Sequence, residues 1–169
     1  VLSNFPPARL RTGLDAAGVK WLGLAPKRLE AVAATFPLVG RACGREAAAK
    51  TLATAWRDAV EEIRKTRDKT KTPRVFLELD PGGGRPHTVG KGTFLDDVID
   101  AAGGRNVMAD AGRWVQVSTE QVLAATPDII LITAQPKAAA AAVANLKARP
   151  GWKHLPAVKN GRVFAVNPD

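Results

Sequence analysis

A glycine-rich stretch with a lysine, HTVGKGTFLDDVIDAAGGRNV, contains the residue types from which phosphate-binding loops are made. Such a loop requires the pattern G-x-x-x-x-G-K followed by serine or threonine, whose hydroxyl binds magnesium. Here five residues separate Gly84 from Gly90, and the lysine is followed by Gly92. Because both the spacing and the hydroxyl are wrong, the pattern argues against a nucleotide-binding enzyme domain, which stays a distant alternative.

The same stretch has a structural explanation as the start of a helix. Thr93 has the side chain of an N-cap, and Asp96 comes three residues later. A glycine pair further on can end the helix in the left-handed conformation. His87 and Thr88 are left unexplained, and they follow a predicted strand. In open α/β sheets, ligands bind beyond the carboxyl ends of the strands.

Composition excludes several classes of site. The chain provides no nucleophile–base arrangement, because it has two histidines, one cysteine and no paired carboxylates in the glycine-rich loop. We therefore expect neither enzymatic activity nor a cofactor. The single cysteine excludes an intramolecular disulfide and a thiolate metal cluster. The excess of basic over acidic residues, 25 against 16, is scattered except for the run Arg64–Lys71, which argues against a nucleic-acid groove.

Hydrophobic periodicity predicts strands that alternate with helices. The predicted strands are VKWLGL, RVFLELD, DIILIT and RVFAV; the predicted helices cover residues 9–17, 27–42 (split or kinked at Pro37), 45–68, 93–102, 118–125 and 136–148. This order predicts an α/β fold with a mainly parallel sheet. The helix over residues 45–68 would be roughly 35 Å long, with Ala48, Leu52, Trp56 and Ile63 on one apolar face.

Three blocks, HTVGKGTFLDDVIDAAGGRNVMAD, WVQVSTEQVLAATPDIILI and PGWKHLPAVKNGRVFAV, resemble in order and spacing the carboxy-terminal lobe of the helical-backbone (class III) substrate-binding proteins. These serve ABC importers of cobalamin, iron–siderophore complexes and haem. The resemblance implies a Rossmann-like lobe over residues 73–169, linking helices over 27–72 that include a long interlobe backbone helix, and the end of a truncated first α/β lobe over 1–26. It also implies a signal segment upstream and a further helix beyond Asp169.

The resemblance implies a ligand held between two lobes. On this lobe the matching loops would supply Arg85, His87 and Thr88 from one segment, and Arg113 and Trp114 from another. Trp114 would pack against the face of the chelate, unless it fills the core beneath its loop. His87 would line the cleft, with axial coordination of a metal as a further alternative.

Glu120 has a separate role by the same resemblance, which implies that it binds arginines of the membrane permease. The alternative is that it only stabilises its own helix, since acidic residues are favoured in the first turn.

The expected function is therefore capture of a metal chelate and its delivery to an ABC permease, without chemical change. The block WVQVSTEQVL is most similar to the cobalamin-binding members, which favours cobalamin or another corrinoid. Iron–siderophore complexes and haem are the alternatives. By the resemblance, the protein would be a bacterial periplasmic or extracellular monomer, either soluble or membrane-anchored as a lipoprotein.

Overall fold

The chain folds as two units, Val1–Ile63 and Arg64–Asp169. The computed structural model describes residues 2–3, 7–68, 70–79 and 84–168. The amino-terminal start VLSNFPP and the loop PGGGRP lie partly outside the described residues.

The first unit contains a short parallel strand pair and four helices. Its elements are β1 (Leu2–Ser3), α1 (Ala8–Ala16), β2 (Gly23–Leu24), α2 (Leu29–Val32), α3 (Thr35–Cys43) and α4 (Glu46–Thr66), of which α4 extends into the second unit. The helix predicted over 27–42 forms two separate helices, α2 and α3, in agreement with the split predicted for this segment. The break comes before Pro37, which occupies the first turn of α3. Backbone N–H groups in the first turn have no partner within the helix, so the missing N–H of proline costs no helical hydrogen bond.

The long helix is present as α4, with 21 residues. Only part of the predicted apolar face is buried: Trp56 packs against Phe36, whereas Leu52 and Ile63 are 55% and 51% exposed. Ala49 and Ala53 are the buried residues of α4. A methyl group added to Gly40 of α3 would lie 2.4 Å from the Ala49 methyl group, so close approach of α3 and α4 requires small residues there. Within the described residues, no helix combines the length and the apolar character needed to cross a membrane.

The second unit has a four-stranded parallel sheet in the order β5–β3–β7–β8, which confirms the predicted fold class. The strands are β3 (Arg74–Glu78), β5 (Arg105–Asn106), β7 (Ile129–Thr133) and β8 (Val163–Val166); a separate antiparallel pair is β4 (His87–Val89) with β6 (Trp114–Gln116). The helices are α5 (Phe94–Ala101), α6 (Thr119–Ala125), α7 (Ala139–Ala148) and α8 (Pro156–Lys159), with 3₁₀ turns at Pro136–Ala138 and Trp152–His154.

The predicted N-caps are confirmed at both helices. The Thr93 hydroxyl accepts a hydrogen bond from the Asp96 N–H of α5. Ser118 forms a capping box with Gln121 at the start of α6. Each cap satisfies backbone N–H groups that the first turn of a helix leaves without a partner.

Both faces of the sheet are covered by apolar side chains. One core cluster contains Phe76, Ile130, Ile132 and Trp152, and the other contains Val75 and Leu77 with residues of β4 and α5. Alternate residues of β3 therefore belong to opposite clusters, as in parallel strands buried on both sides.

An ion pair between Arg74 and Asp128 connects the starts of β3 and β7. The Asp128 carboxylate accepts from the Arg74 backbone N–H at 2.8 Å and from its guanidinium at 2.9 and 3.1 Å. These hydrogen bonds hold the pKa of Asp128 below its ordinary value. This ion pair sets the register of the two central strands at their first residues.

A buried ion pair lies at the other end of β3. The Glu78 side chain is 2% exposed, and its two oxygens accept from the two terminal nitrogens of Arg149, each at 2.7 Å. The same guanidinium carbon lies 4.8 Å from the ring centroid of Trp152, which is fully buried. The bidentate geometry and the aromatic contact offset part of the desolvation of both charges.

Replacing Glu78 with glutamine is expected to lower the free energy of unfolding by about 3 kcal/mol, because the largely buried guanidinium of Arg149 would lose its bidentate bond to a carboxylate. Guanidinium unfolding followed by far-UV circular dichroism measures the change. Asp110→Asn, which alters an exposed carboxylate of the same unit, is the control and should change stability by about 0.5 kcal/mol or less.

The double variant Glu78→Met, Arg149→Met should recover much of that loss, because it removes both charges and leaves apolar side chains. A single-variant loss no larger than that of Asp110→Asn would show that the ion pair does not stabilise the fold.

Candidate ligand-binding site

The two loops predicted to hold the ligand are joined by a short antiparallel ribbon. β4 pairs with β6 in the register His87 with Gln116, Thr88 with Val115, and Val89 with Trp114. Leu79, directly after β3, forms an isolated antiparallel bridge with His87, and its N–H donates to the His87 carbonyl at 2.8 Å. The ribbon therefore lies at the carboxyl end of a central strand, where α/β sheets bind ligands.

Strand alternation divides the ribbon into two faces. Pro86, Thr88 and Val117 are buried, and Val115 packs against the core. The residues between them are exposed; they are Arg85, His87, Trp114 and Gln116, which we call the ribbon face. Successive strand residues point to opposite sides, so one set covers the core and the other faces outward. Val89 is the exception, because it lies opposite Trp114 and is fully buried in the second core cluster.

Trp114 dominates the ribbon face because its side chain is 65% exposed. The prediction of an exposed Trp114 instead of a core tryptophan is confirmed. By the register, His87 is its diagonal neighbour on the facing strand, about 7–8 Å away, which is within reach of long or aromatic side chains. An indole, an imidazole and an amide are thus presented side by side, and they suit contact with a large flat ligand.

Two predicted ligand residues make hydrogen bonds within the protein. Thr88 is 1% exposed, and its hydroxyl donates to the Leu77 carbonyl at 2.7 Å, so its side chain is not on the ribbon face. Arg113 is exposed, but one guanidinium nitrogen donates to the Gly92 carbonyl at 3.2 Å. It comes directly before Trp114, so alternation directs the two side chains apart.

Gln116 is a ribbon-face residue that the sequence-based site omits. The signal was present, because W-x-Q places Trp114 and Gln116 two residues apart and hence on the same side of a strand. The spacing is informative only if residues 114–116 are recognised as a strand, and β6 is only three residues long.

The backbone N–H groups of Gly90, Lys91 and Gly92 all donate within the protein. Gly90 donates to the Arg113 carbonyl, Lys91 to the Ala109 carbonyl and Gly92 to the Asp96 carboxylate, at 3.1, 2.8 and 3.1 Å. A phosphate-binding loop needs consecutive N–H groups free to point at the anion. The hydrogen bonding therefore opposes the nucleotide-binding alternative.

Asn106 fastens this loop to the sheet. Its Nδ2 donates to the Val89 carbonyl at 2.9 Å and to Asp96 at 3.0 Å, and the Thr93 hydroxyl donates to the Gly90 carbonyl at 2.9 Å. Thr93 and Asn106 are both buried. The polar residues of the glycine-rich block thus hold the turn that follows β4.

Glu120 lies in the first turn of α6, four residues after the end of β6, with an exposed carboxylate. A hydrogen bond from the Ser118 hydroxyl, its own backbone N–H and the charge of Arg85 hold the pKa of Glu120 below its ordinary value. It therefore presents a negative charge at neutral pH next to the ribbon face. Within the described residues, no group of three or more histidine, cysteine, aspartate or glutamate side chains could hold a metal ion.

A family model described as periplasmic binding protein matches residues 11–169. The chain belongs to this family. Its members are solute-binding proteins of ABC importers, so the resemblance found in the three sequence blocks is confirmed.

Relatives of the chain include an ABC transporter substrate-binding lipoprotein and a cobalamin-binding protein. An uncharacterized ABC transporter substrate-binding lipoprotein, YvrC, of Bacillus subtilis (strain 168) is 32% identical over 138 residues, covering 80% of this chain and 42% of the relative. A cobalamin-binding protein of Halobacterium salinarum (strain ATCC 29341 / DSM 671 / R1) is 29% identical over 163 residues, covering 92% and 43%. The chain thus spans less than half the length of these curated relatives.

Among solved structures, the periplasmic heme-binding protein RhuT from Roseiflexus sp. RS-1, in its apo form, superposes with a TM-score of 0.83. The two are 28% identical, and the match covers 96% of this chain and 63% of RhuT. The parallel α/β architecture is therefore that of a periplasmic binding protein.

Gly90→Ala is expected to displace the loop that carries Trp114. A methyl group at Gly90 would lie 2.2 Å from the Gly112 carbonyl oxygen and 2.8 Å from that of Ala109, and both neighbours are backbone. We expect a loss of about 1–3 kcal/mol in the free energy of unfolding and a shift of the assigned Trp114 indole N–H resonance.

Gly84→Ala is the matched control. Gly84 has a φ of +81° but open space around the added methyl group, so the cost is about 1–2 kcal/mol of local backbone strain. An unmoved Trp114 resonance in Gly90→Ala would show that the close approach does not position the ribbon.

Proposed function

We propose that this protein is the substrate-binding component of an ABC importer that captures a metal chelate, with cobalamin or a related corrinoid favoured. The observation that carries the proposal is Trp114, an exposed tryptophan at the carboxyl edge of a parallel sheet. Exposure of a large aromatic ring is unfavourable in water, and packing against a flat apolar ligand removes that surface from solvent. His87 and Gln116 would add hydrogen bonds at the edge of the ring.

The chemistry of the ribbon face favours a corrinoid. Corrin rings carry amide side chains, and these match neutral hydrogen-bonding groups such as the Gln116 amide and the His87 imidazole. The Halobacterium relative is named a cobalamin-binding protein and matches 92% of this chain. Iron–siderophore complexes and haem are the alternative within the same family, because Arg85, Arg113 and Lys91 could pair with their anionic groups.

The proposed activity is binding and release without chemical change and without a cofactor. In the whole protein, residues 1–26 would form the end of a first lobe. Residues 27–72 would link the two lobes through α4, and residues 73–169 would form the second lobe. The protein would act as a monomer in the periplasm or outside the cell, either soluble or anchored as a lipoprotein. It would deliver its ligand to the ABC permease.

Trp114→Ala in the full-length protein is expected to weaken chelate binding by about tenfold to a hundredfold, because it removes the largest contact surface of the ribbon face. Isothermal calorimetry with cobalamin, haemin and a ferric siderophore measures the affinity and identifies the ligand. Phe164→Ala, which removes another exposed aromatic ring (50% exposed) on β8, is the control and should leave affinity unchanged.

Full-affinity binding by Trp114→Ala would remove Trp114 from the site. Failure of the unaltered protein to bind any of the three chelates would refute the proposed function itself.

The permease contact is proposed at Glu120. Glu120→Gln should leave chelate affinity unchanged and reduce association with the cognate permease in nanodiscs, by about fivefold, since an exposed ion pair contributes modestly. Surface plasmon resonance at two salt concentrations measures this, and the loss should shrink at high salt. Asp110→Asn serves as the charge-matched control, and an equal effect of both variants would indicate that only net charge matters.

A further inference from the structure

One side-chain amide connects three segments around the ribbon. It belongs to Asn106, the last residue of β5, whose Nδ2 donates to the Val89 carbonyl at 2.9 Å and to an Asp96 carboxylate oxygen of α5 at 3.0 Å. Its Oδ1 accepts from the Met108 N–H at 2.9 Å. Asn106 is only 7% exposed, and hydrogen bonds are electrostatically stronger in such a low-dielectric surrounding than in water.

The hydrogen bonds at the two ends of the ribbon show how β4 is oriented. Beyond one end, the Val117 N–H donates to the Pro86 carbonyl at 2.9 Å. Beyond the other end, the Gly90 N–H donates to the Arg113 carbonyl at 3.1 Å. Hydrogen-bonded and non-hydrogen-bonded pairs alternate along an antiparallel ribbon, so the first and last residues of β4 belong to pairs of the second kind. Their backbone groups point away from β6.

Two different groups satisfy this outer edge of β4. The carbonyl of its first residue, His87, accepts from the Leu79 N–H at 2.8 Å, which is a backbone contact. The carbonyl of its last residue, Val89, accepts from the Asn106 side chain instead. Val89 is fully buried, and a buried carbonyl without a donor is costly. The Asn106 amide therefore does for β4 what the N–H of a neighbouring strand would do.

This hydrogen bond lies next to the backbone of Trp114. Val89 is the residue directly opposite Trp114 in the ribbon register. In a non-hydrogen-bonded antiparallel pair the two Cα atoms are about 4.5 Å apart, the closest approach between such strands. A displacement of the end of β4 therefore displaces the backbone that carries the indole.

The oxygen of the same amide holds the turn that precedes β6. After the Met108 N–H donates to Asn106, the next carbonyl, that of Ala109, accepts from the Lys91 N–H at 2.8 Å. The chain then continues into β6, which begins at Trp114. Both segments that meet beside the indole are thus connected to one buried side chain.

We propose that Asn106 is a positioning residue of the ligand site: its amide holds the end of β4 beside the start of β6 and thereby fixes Trp114 for contact with the chelate. This inference rests on the proposed function and extends it to a residue outside the ribbon face. A ring that is fixed before binding loses less conformational entropy when the ligand packs against it. Loss of the amide should therefore weaken chelate binding by about threefold to tenfold.

The first test needs no ligand. In the full-length protein, Asn106→Ala is expected to shift the assigned Trp114 indole N–H resonance, because the end of β4 loses its donor. The resonances of Trp21 and Trp56, which lie in the first unit, should stay in place. Asp128→Asn weakens the ion pair at the starts of β3 and β7; as the control, it should lower stability without moving the Trp114 resonance. An unmoved Trp114 resonance in Asn106→Ala overturns the inference.

A measurement on the unaltered protein decides the case in which Asn106→Ala does not fold. The side-chain amide protons of Asn106 should exchange with solvent at least about a hundredfold more slowly than those of the exposed Asn160, because they are buried and hydrogen-bonded. Equal exchange rates would show that the amide does not hold the two segments, and the inference would be wrong.

The second test is a double-mutant cycle, measured by isothermal calorimetry with cobalamin, haemin and a ferric siderophore. Asn106→Ala should weaken binding by about threefold to tenfold in the unaltered chain and leave the affinity of Trp114→Ala unchanged, because it acts through the indole. An equal loss in both backgrounds would mean a general structural role, which refutes the inference and leaves the proposed function standing. Absence of binding to all three chelates refutes the proposed function, and the Trp114 resonance then decides whether Asn106 positions the ring.

Discussion

The pairing of β4 with β6 is the constraint on which the candidate site depends. These strands are only three residues long, and their hydrogen bonds fix which side chains face the core. Thr88 is directed inward and bonds the Leu77 carbonyl, so His87 must face outward. Trp114 is on the same side of the ribbon as His87 and is exposed, whereas Val89, directly opposite it, is buried in the core. A register shift of one residue would bury the indole and expose the threonine.

The polar groups of the glycine-rich turn form hydrogen bonds within the protein, and these bonds support the ribbon. Buried Thr93 and Asn106 hold the backbone around Gly90, and the amides that could have received a phosphate are bonded within the protein. In the proposed function, the side chains of the ribbon face recognise the ligand. Recognition by shape, aromatic surface and a few polar groups is what a chelate with a broad face requires.

Two glutamates illustrate how burial divides structure from function. Glu78 is enclosed with Arg149 in a bidentate pair, whereas Glu120 is exposed in the first turn of α6. Breaking the enclosed pair leaves a charge without water, which makes it a permanent part of the fold. The exposed carboxylate of Glu120 keeps its contact with water, so an ion pair formed there contributes only modestly.

Local features of the fold were predictable from the sequence because they depend on nearby residues. The caps at Thr93 and Ser118, the helix break before Pro37 and the strand–helix alternation all follow from short-range chemistry. Trp152 was also correctly assigned to packing and is fully buried. The three sequence blocks were sufficient for the family.

Which face of an element is buried was decided only by tertiary structure. On α4 two apolar stripes compete, and the one with Ala49 and Ala53 is buried because small side chains permit close packing, while Leu52 is left exposed. At the site, Thr88 and Arg113 have the residue types of ligand contacts, yet one bonds the core and the other a loop carbonyl. By itself the sequence determined the longer helices, the longer strands of the parallel sheet and the family to which they belong. Only the folded chain decided the direction of each side chain, because that depends on partners far away along the sequence.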